Sequence, residues 1–143
     1  MKVDELMTKK PACITPAETA RDAARMMKEH DAGSLPVVES HDEKRLVGII
    51  TDRDIAIRGV AQGKGPDALV RDLMTDGPDA ARIGDDVSKV EQIMSRHQVR
   101  RVPIIDADNR LVGIVAQADL ARNDRAASDK DVGKVVEAIS KPN

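Results

Sequence analysis

The chain has 143 residues and a formal net charge of −2, with 41% of it hydrophobic and 34% charged. That length suits one well-cored domain or two halves sharing a core, and the near balance of charge gives no overall pull towards nucleic acid or anionic lipid. Apolar runs such as Leu46–Ile50 are too short to span a membrane, a lone Cys13 cannot form an internal disulfide, and the first residues hold no secretory apolar stretch, so cytoplasmic residence is expected.

Phe, Tyr and Trp are all absent. The core is therefore built from Val, Ile, Leu, Met and Ala. Any planar ligand would be held by aliphatic side chains and backbone, which argues against a single-stranded nucleic-acid binder, where aromatic stacking platforms are the usual device.

In chain order, a short strand is predicted at "ACIT" (Ala12–Thr15), then a helix over Ala20–His30 with Thr19 as its N-cap. Two strands follow, "SLPVVE" and "KRLVGII", joined by the turn-forming "SHDE". A second helix starts at Asp52. The stretch 59–68 is rich in Gly and polar residues and reads as a linker. The pattern then returns: a strand at "AARI" (Ala80–Ile83), and a helix over Val87–His97 capped by Asp86, with Val87, Val90 and Met94 on one face. Strands "RVPIID" and "NRLVGIV" come next, around the turn "DADN", with a helix from Gln117. In the tail, Ser128 and Asp131 form a capping-box pattern ahead of a stripe of Val132, Val135, Val136 and Ile139, a last helix candidate.

Sliding the chain on itself explains the return. Leu6–Pro11 falls on Leu73–Pro78, Met27 on Met94, His30 on His97 and Ser34–Val38 on Arg101–Ile105. After two residues are lost in a turn, "RLVGIITDRDIA" falls on "RLVGIVAQADLA". The chain is thus a β-α-β-β-α unit written twice, an α/β fold.

Both copies end a strand with a Gly followed six residues later by an Asp: "GIITDRD" (Gly48–Asp54) and "GIVAQAD" (Gly113–Asp119). Thr51 and Asp54 fit a capping box. They fit equally a hydroxyl and a carboxylate placed to hold a ligand at the start of a helix, and the residues alone leave both readings open.

Other chemistries find little support. "GVAQGKG" has the wrong glycine spacing for a phosphate loop and no Ser or Thr after its Lys. His30, His41, His97 and Cys13 show no metal-ligand spacing. No nucleophile–base pattern supports an enzyme. Arg100–Arg101 and Lys9–Lys10 are a thin electrostatic footprint for nucleic acid.

"LPVV" with "GIITDRD", and "VPII" with "GIVAQAD", resemble the CBS-domain family, over about residues 4 to 124. The resemblance implies a module with repeat 1 at 1–58, linker 59–68, repeat 2 at 69–124 and a helical tail at 125–143. The two repeats would be related by a pseudo-twofold axis, with two clefts between them. It also implies regulatory binding of an adenosine nucleotide (AMP, ADP or ATP, and in some members NAD or S-adenosylmethionine), with no catalysis, no required cofactor, and a homodimer whose surface signals to a downstream protein. The alternative is a ligand-free CBS dimer acting as a constitutive scaffold.

By resemblance, Asp54 accepts from ribose hydroxyls and Thr51 donates on the phosphate side, with Arg53 a second phosphate candidate. Gly33 would let a base approach backbone. Segments Thr8–Ala12 and Thr75–Asp79 would supply backbone walls from the opposite repeat, Ala12 among them. Asp119 is the second ribose acceptor, but Ala116 stands where the first copy has Thr51. Arg101, opposite Ser34 in the alignment, is the compensating phosphate ligand, and Arg100 replaces Gly33. The two sites are therefore expected to be unequal, with the second favoured if phosphate charge dominates.

Overall fold

The structure is a computed structural model that describes residues 1–123; the tail stripe from Val132 to Ile139 lies outside them. The elements are β1 (Thr8–Lys9), α1 (Ala20–His30), β2 (Ser34–Val38), β3 (Leu46–Thr51), α2 (Asp52–Asp54), α3 (Val70–Leu73), β4 (Thr75–Asp76), β5 (Ala81–Arg82), α4 (Val87–His97), β6 (Arg101–Ile105), β7 (Leu111–Ala116) and α5 (Gln117–Asn123). After α2 the helical path widens into a π turn over Ile55–Gly59 and tightens into a 3₁₀ turn over Val60–Gln62. Among the described residues no helix is long and apolar enough to cross a membrane.

Two compact units form, and they do not follow the order of the chain. One holds Ala12–Pro78 with Asn109–Leu111; the other holds Met1–Pro11, Asp79–Asp108 and the described residues from Val112. In the first, antiparallel β2 and β3 pair Ser34 with Thr51 and Leu35 with Ile50, and β4 adds to β3 through Gly48–Asp76 and Ile49–Thr75. In the second, the sheet order is β1-β7-β6-β5. There β1 meets β7 through Thr8–Ile114 and Lys9–Gly113, the equivalent register.

The segment ahead of each copy therefore serves the other copy. Its reason lies in the helix ends. The first backbone N–H groups of a helix have no partner within it. In α1, Ala20 N donates to Ala68 O (2.8 Å) and Arg21 N to Pro66 O (3.0 Å). In α4, Val87 N donates to Met1 O (2.8 Å), the aligned partner of Ala68. The stretch read as a linker is thus tied to the start of α1, and Thr19 bridges Leu69. The side chains follow: Val70 and Leu73 lie in the core with Ile14, Ala23, Leu35, Val37 and Ile50, while Val3 joins Val90, Met94, Val102, Ile104 and Val115. The predicted strand Ala12–Thr15 reduces to one parallel bridge from Ile14 to Val37.

A thioether lies over a strand glycine in each copy. A Cβ on Gly48 would sit 2.8 Å from Thr75 O and 2.9 Å from Met74 Sδ; on Gly113 its three nearest neighbours would be Met7 side-chain atoms, Cγ at 2.9 Å. A backbone carbonyl in a paired strand cannot move aside as a Met can. Gly48→Ala is therefore expected to cost about 1–3 kcal/mol, the usual range for overpacking, and Gly113→Ala clearly less. Urea denaturation of the two variants side by side checks the ranking.

The caps carry a second expectation. Thr19 Oγ1 accepts from Asp22 N (3.2 Å) while Asp22 accepts from Thr19 N (3.0 Å), closing a capping box. The backbone N–H and then the hydroxyl of Thr19 hold the Asp22 carboxyl below its ordinary range. Asp86 is lowered in the same sense, first by the Ser88 N–H. A depressed folded value means the stabilisation is complete above the ordinary aspartate range and is lost as pH falls through the folded value. In an NMR titration, Asp22 should titrate lower than a free aspartate, and Thr19→Ala should move it back up.

Candidate functional site

The two copies present the same strand-to-helix corner with different contents. In the first, β3 ends at Thr51 and the chain turns directly into α2, with Asp52 N donating to Gly33 O (2.9 Å) and so fixing the corner beside the start of β2. Thr51 Oγ1 accepts from Asp54 N (3.0 Å) and Asp54 Oδ2 accepts from Thr51 N (2.9 Å). The capping box is made. It uses one carboxylate oxygen of Asp54 and leaves the hydroxyl proton of Thr51 free to donate, since a hydroxyl both donates and accepts.

The other oxygen, Asp54 Oδ1, takes no hydrogen bond from the described residues. Its nearest cation is Arg58, whose Nε is 3.9 Å away. The guanidinium is engaged elsewhere: Arg58 Nη1 donates to Met74 O (3.0 Å) and Leu73 O (3.4 Å), closing the end of α3 ahead of β4. The Asp54 side chain keeps 14% of its surface exposed.

The second copy keeps half of this. Gln117 N donates to Arg100 O (2.8 Å), the equivalent corner bond, and Asp119 Oδ2 accepts from Ala116 N (2.8 Å). The return bond is missing because Ala116 has no hydroxyl. Asp119 Oδ1 accepts directly from Arg122 Nη2. Asp119 is the only buried charged residue among those described. It lines a depression of about 330 Å³ with Leu6, Arg122 and Asn123.

Of the sequence-predicted residues, Ala12, Gly33, Ser34, Thr51, Arg53 and Asp54 fall in the first-copy unit, and Arg100, Arg101 and Asp119 in the second. Gly33, Ser34, Thr51 and Asp54 share one corner. Arg53 is exposed, and its backbone N–H is held by Asp52 Oδ1 (2.8 Å). The space beside Gly33 is taken by the Asp52 carboxylate, 3.2 Å from where a Cβ would sit. Ala12 packs against the first-copy core. Arg101 is half-buried at the start of β6 and Arg100 is exposed.

Arg58 and Arg122 were not singled out by the sequence, although their spacing offered a signal: a cation three or four residues after a carboxylate shares its helix face. Their aligned partners, Asn123 and Ile57, break the repeat and so hid them. Buried Cys13 packs with Val38 and Leu111, and burial pushes its thiol up, away from reactivity.

The CBS domain family pattern matches residues 3–59 and 70–125. Hypoxic response protein 1 of Mycobacterium tuberculosis is 38% identical over 139 residues, spanning 96% of this chain and 93% of that protein. A crystal structure of hypoxic response protein I with two coordinated zinc ions superposes with a TM-score of 0.77 at 39% identity, over 85% of this chain and 98% of that one. The CBS domain pair of protein MJ0100, in complex with 5′-methylthioadenosine and S-adenosyl-L-methionine, superposes at 0.74 with 32% identity, over 86% and 94%. CBSX2 in complex with AMP superposes at 0.74 with 25% identity, over 85% and 94%. Among the described residues no three of His, Cys, Asp and Glu come together in a group that could hold a metal ion. With both copies matched over nearly all their length, the chain belongs to the CBS-domain family.

Proposed function

We propose that the chain is a non-enzymatic regulatory module for an adenosine nucleotide of the AMP, ADP or ATP type. Asp54 accepts from the ribose hydroxyls and Thr51 donates on the phosphate side. The observation that carries this reading is the Asp54 carboxylate, held through Oδ2 by its own capping box while Oδ1 takes no hydrogen bond from the described residues, its ion pair with Arg58 Nε being 3.9 Å long. A carboxylate fixed in this way is suited to a vicinal diol, as the acidic residue of dinucleotide folds is. The adenosyl ligands of the two CBS-pair structures support the ligand class.

Regulation follows from differential affinity: the ligand favours whichever arrangement of the chain it binds better, and a partner reads the change. A homodimer is the expected carrier of that signal. Ile57 and Val60, 50% and 70% exposed on the turns after α2, offer apolar surface for a second copy. The competing reading, a ligand-free scaffold, is favoured by one observation only, the fully engaged Asp119.

The test is thermal denaturation followed by circular dichroism, with AMP, ATP, NAD, S-adenosylmethionine and 5′-methylthioadenosine added in turn. A ligand that binds only the folded state raises the melting temperature, by about 2.7 kcal/mol of stability at a hundred times its Kd. At least one adenosyl compound should raise it in the wild type, and Asp54→Ala should abolish the rise. No shift with any of them favours the scaffold.

A further inference from the structure

We propose that Arg122 closes the second-copy carboxylate to hydroxyl ligands, so that the duplicated chain has one working ribose acceptor, Asp54. This rests on the ribose-acceptor reading above and adds its regulation. Both carboxylates spend one oxygen on the backbone at the end of the preceding strand, Asp54 on Thr51 N and Asp119 on Ala116 N. They differ in the second oxygen. At Asp119 it holds the Arg122 guanidinium; at Asp54 the nearest cation keeps its Nε 3.9 Å off while its Nη1 donates to the carbonyls of Leu73 and Met74.

The difference follows from the residues. Arg122 aligns with Ile57, which has no donor, and Asn123 aligns with Arg58. Asn123 turns its amide towards Met1 Sδ (3.1 Å), leaving Asp119 to Arg122 alone. Burial explains why the pair forms: Asp119 has 8% of its side chain exposed, and a carboxylate so buried needs a partner. The cation itself stays in solvent, with 76% of its side chain exposed, so among the described residues Arg122 is tethered at its tip. A diol entering the depression lined by Leu6, Asp119, Arg122 and Asn123 must displace that tip. A diol reaching Asp54 Oδ1 breaks no hydrogen bond among the described residues and meets only the longer Arg58 ion pair at 3.9 Å. The ordering expected from the sequence for a phosphate-dominated ligand is thereby reversed, because the cation meant to attract phosphate is matched by another that blocks the ribose acceptor.

Isothermal titration with AMP, and separately with phosphate-free 5′-methylthioadenosine, tests this on wild type, Arg122→Gln, Asp54→Ala and the double variant. Wild type should bind one molecule per chain, and Asp54→Ala none. Arg122→Gln should bind two, and the double variant should keep the second. Arg122→Lys, which retains the charge that neutralises Asp119 but loses the planar fork, should fall between wild type and Arg122→Gln and guards against a folding artefact, with circular dichroism as the check. The inference is overturned if Arg122→Gln still binds one molecule per chain through Asp54, if wild type already binds two, or if Arg122→Gln loses AMP affinity, which would make Arg122 a phosphate ligand. The first of these leaves the proposed function standing. Absence of binding by every variant removes both.

Discussion

Leu73→Ala is expected to destabilise the chain by about 2–5 kcal/mol, the range for removing a fully buried Leu from a close-packed core. Leu73 is 0% exposed and sits among Ile14, Leu35, Val37 and Ile50. It also orders the site: Leu73 O and Met74 O receive the Arg58 guanidinium, and the strand that follows, β4, pairs with β3 just before the Thr51 corner. The aligned Leu6 is only partly buried beside the second-copy core. Leu6→Ala should therefore cost clearly less. Were the segment ahead of the second copy packed on its own copy, as chain order suggests, Leu73→Ala would loosen that copy instead. Amide hydrogen exchange distinguishes the two: protection should fall first at Ile50 and Val37, and not at Val102 or Ile104.

Asp54→Ala is expected to weaken adenosyl-ligand binding by at least about tenfold to a hundredfold, enough to take it below detection, since each hydrogen bond to a charged group contributes roughly 1.5–3 kcal/mol and a ribose diol makes two. It should also cost about 1 kcal/mol of stability by opening the capping box. Thr51→Ser and Thr51→Ala separate the two effects. Ser keeps cap and donor, so both properties should stay close to wild type. Ala removes both, and should lower affinity more for AMP than for 5′-methylthioadenosine, which has no phosphate. Asp119→Ala, by contrast, should leave ligand binding unchanged while releasing Arg122. Titrations of these variants with both compounds, beside their melting curves, give the comparison.

The repeat, the hairpins and the capped helices were legible because each rests on a local pattern. "LPVV" and "VPII" are apolar runs of strand length, buried throughout from Leu35 to Val38 and from Val102 to Ile105. Thr19 and Asp86 are short polar side chains placed just before an apolar stripe, and both accept N-terminal N–H bonds. The exchange of leading segments was only half visible. The resemblance suggested walls from the opposite repeat, but strands of two residues such as Thr8–Lys9 and Thr75–Asp76 carry no periodicity of their own. Their position is set by Met7 and Met74 lying over glycines distant in sequence, and by carbonyls that finish a helix they do not precede. The stretch 59–68 looked like a linker because Gly and polar residues carry no apolar signal, yet its backbone is what α1 needed.

At the site, the T-x-x-D spacing announced the corner, and the capping box was one of the two readings it allowed. What no local pattern could show was the fate of the second carboxylate oxygen. That depends on whether the next cation falls at Arg58, turned towards the carbonyls of Leu73 and Met74, or at Arg122, turned towards Asp119. Two aligned positions, Ile57 against Arg122 and Arg58 against Asn123, accompany the difference between the two second oxygens.

The absence of aromatic residues makes the central claim unusually direct to measure. A chain without Phe, Tyr or Trp absorbs almost nothing near 260 nm, so equilibrium dialysis against AMP, ATP, NAD, S-adenosylmethionine or 5′-methylthioadenosine reads the ligand by its own adenine band. At least one of the five should accumulate on the protein side, and the excess should vanish with Asp54→Ala but persist with Asp119→Ala. Equal absorbance on both sides for all five at millimolar concentration, or an excess unaffected by Asp54→Ala, would contradict the account.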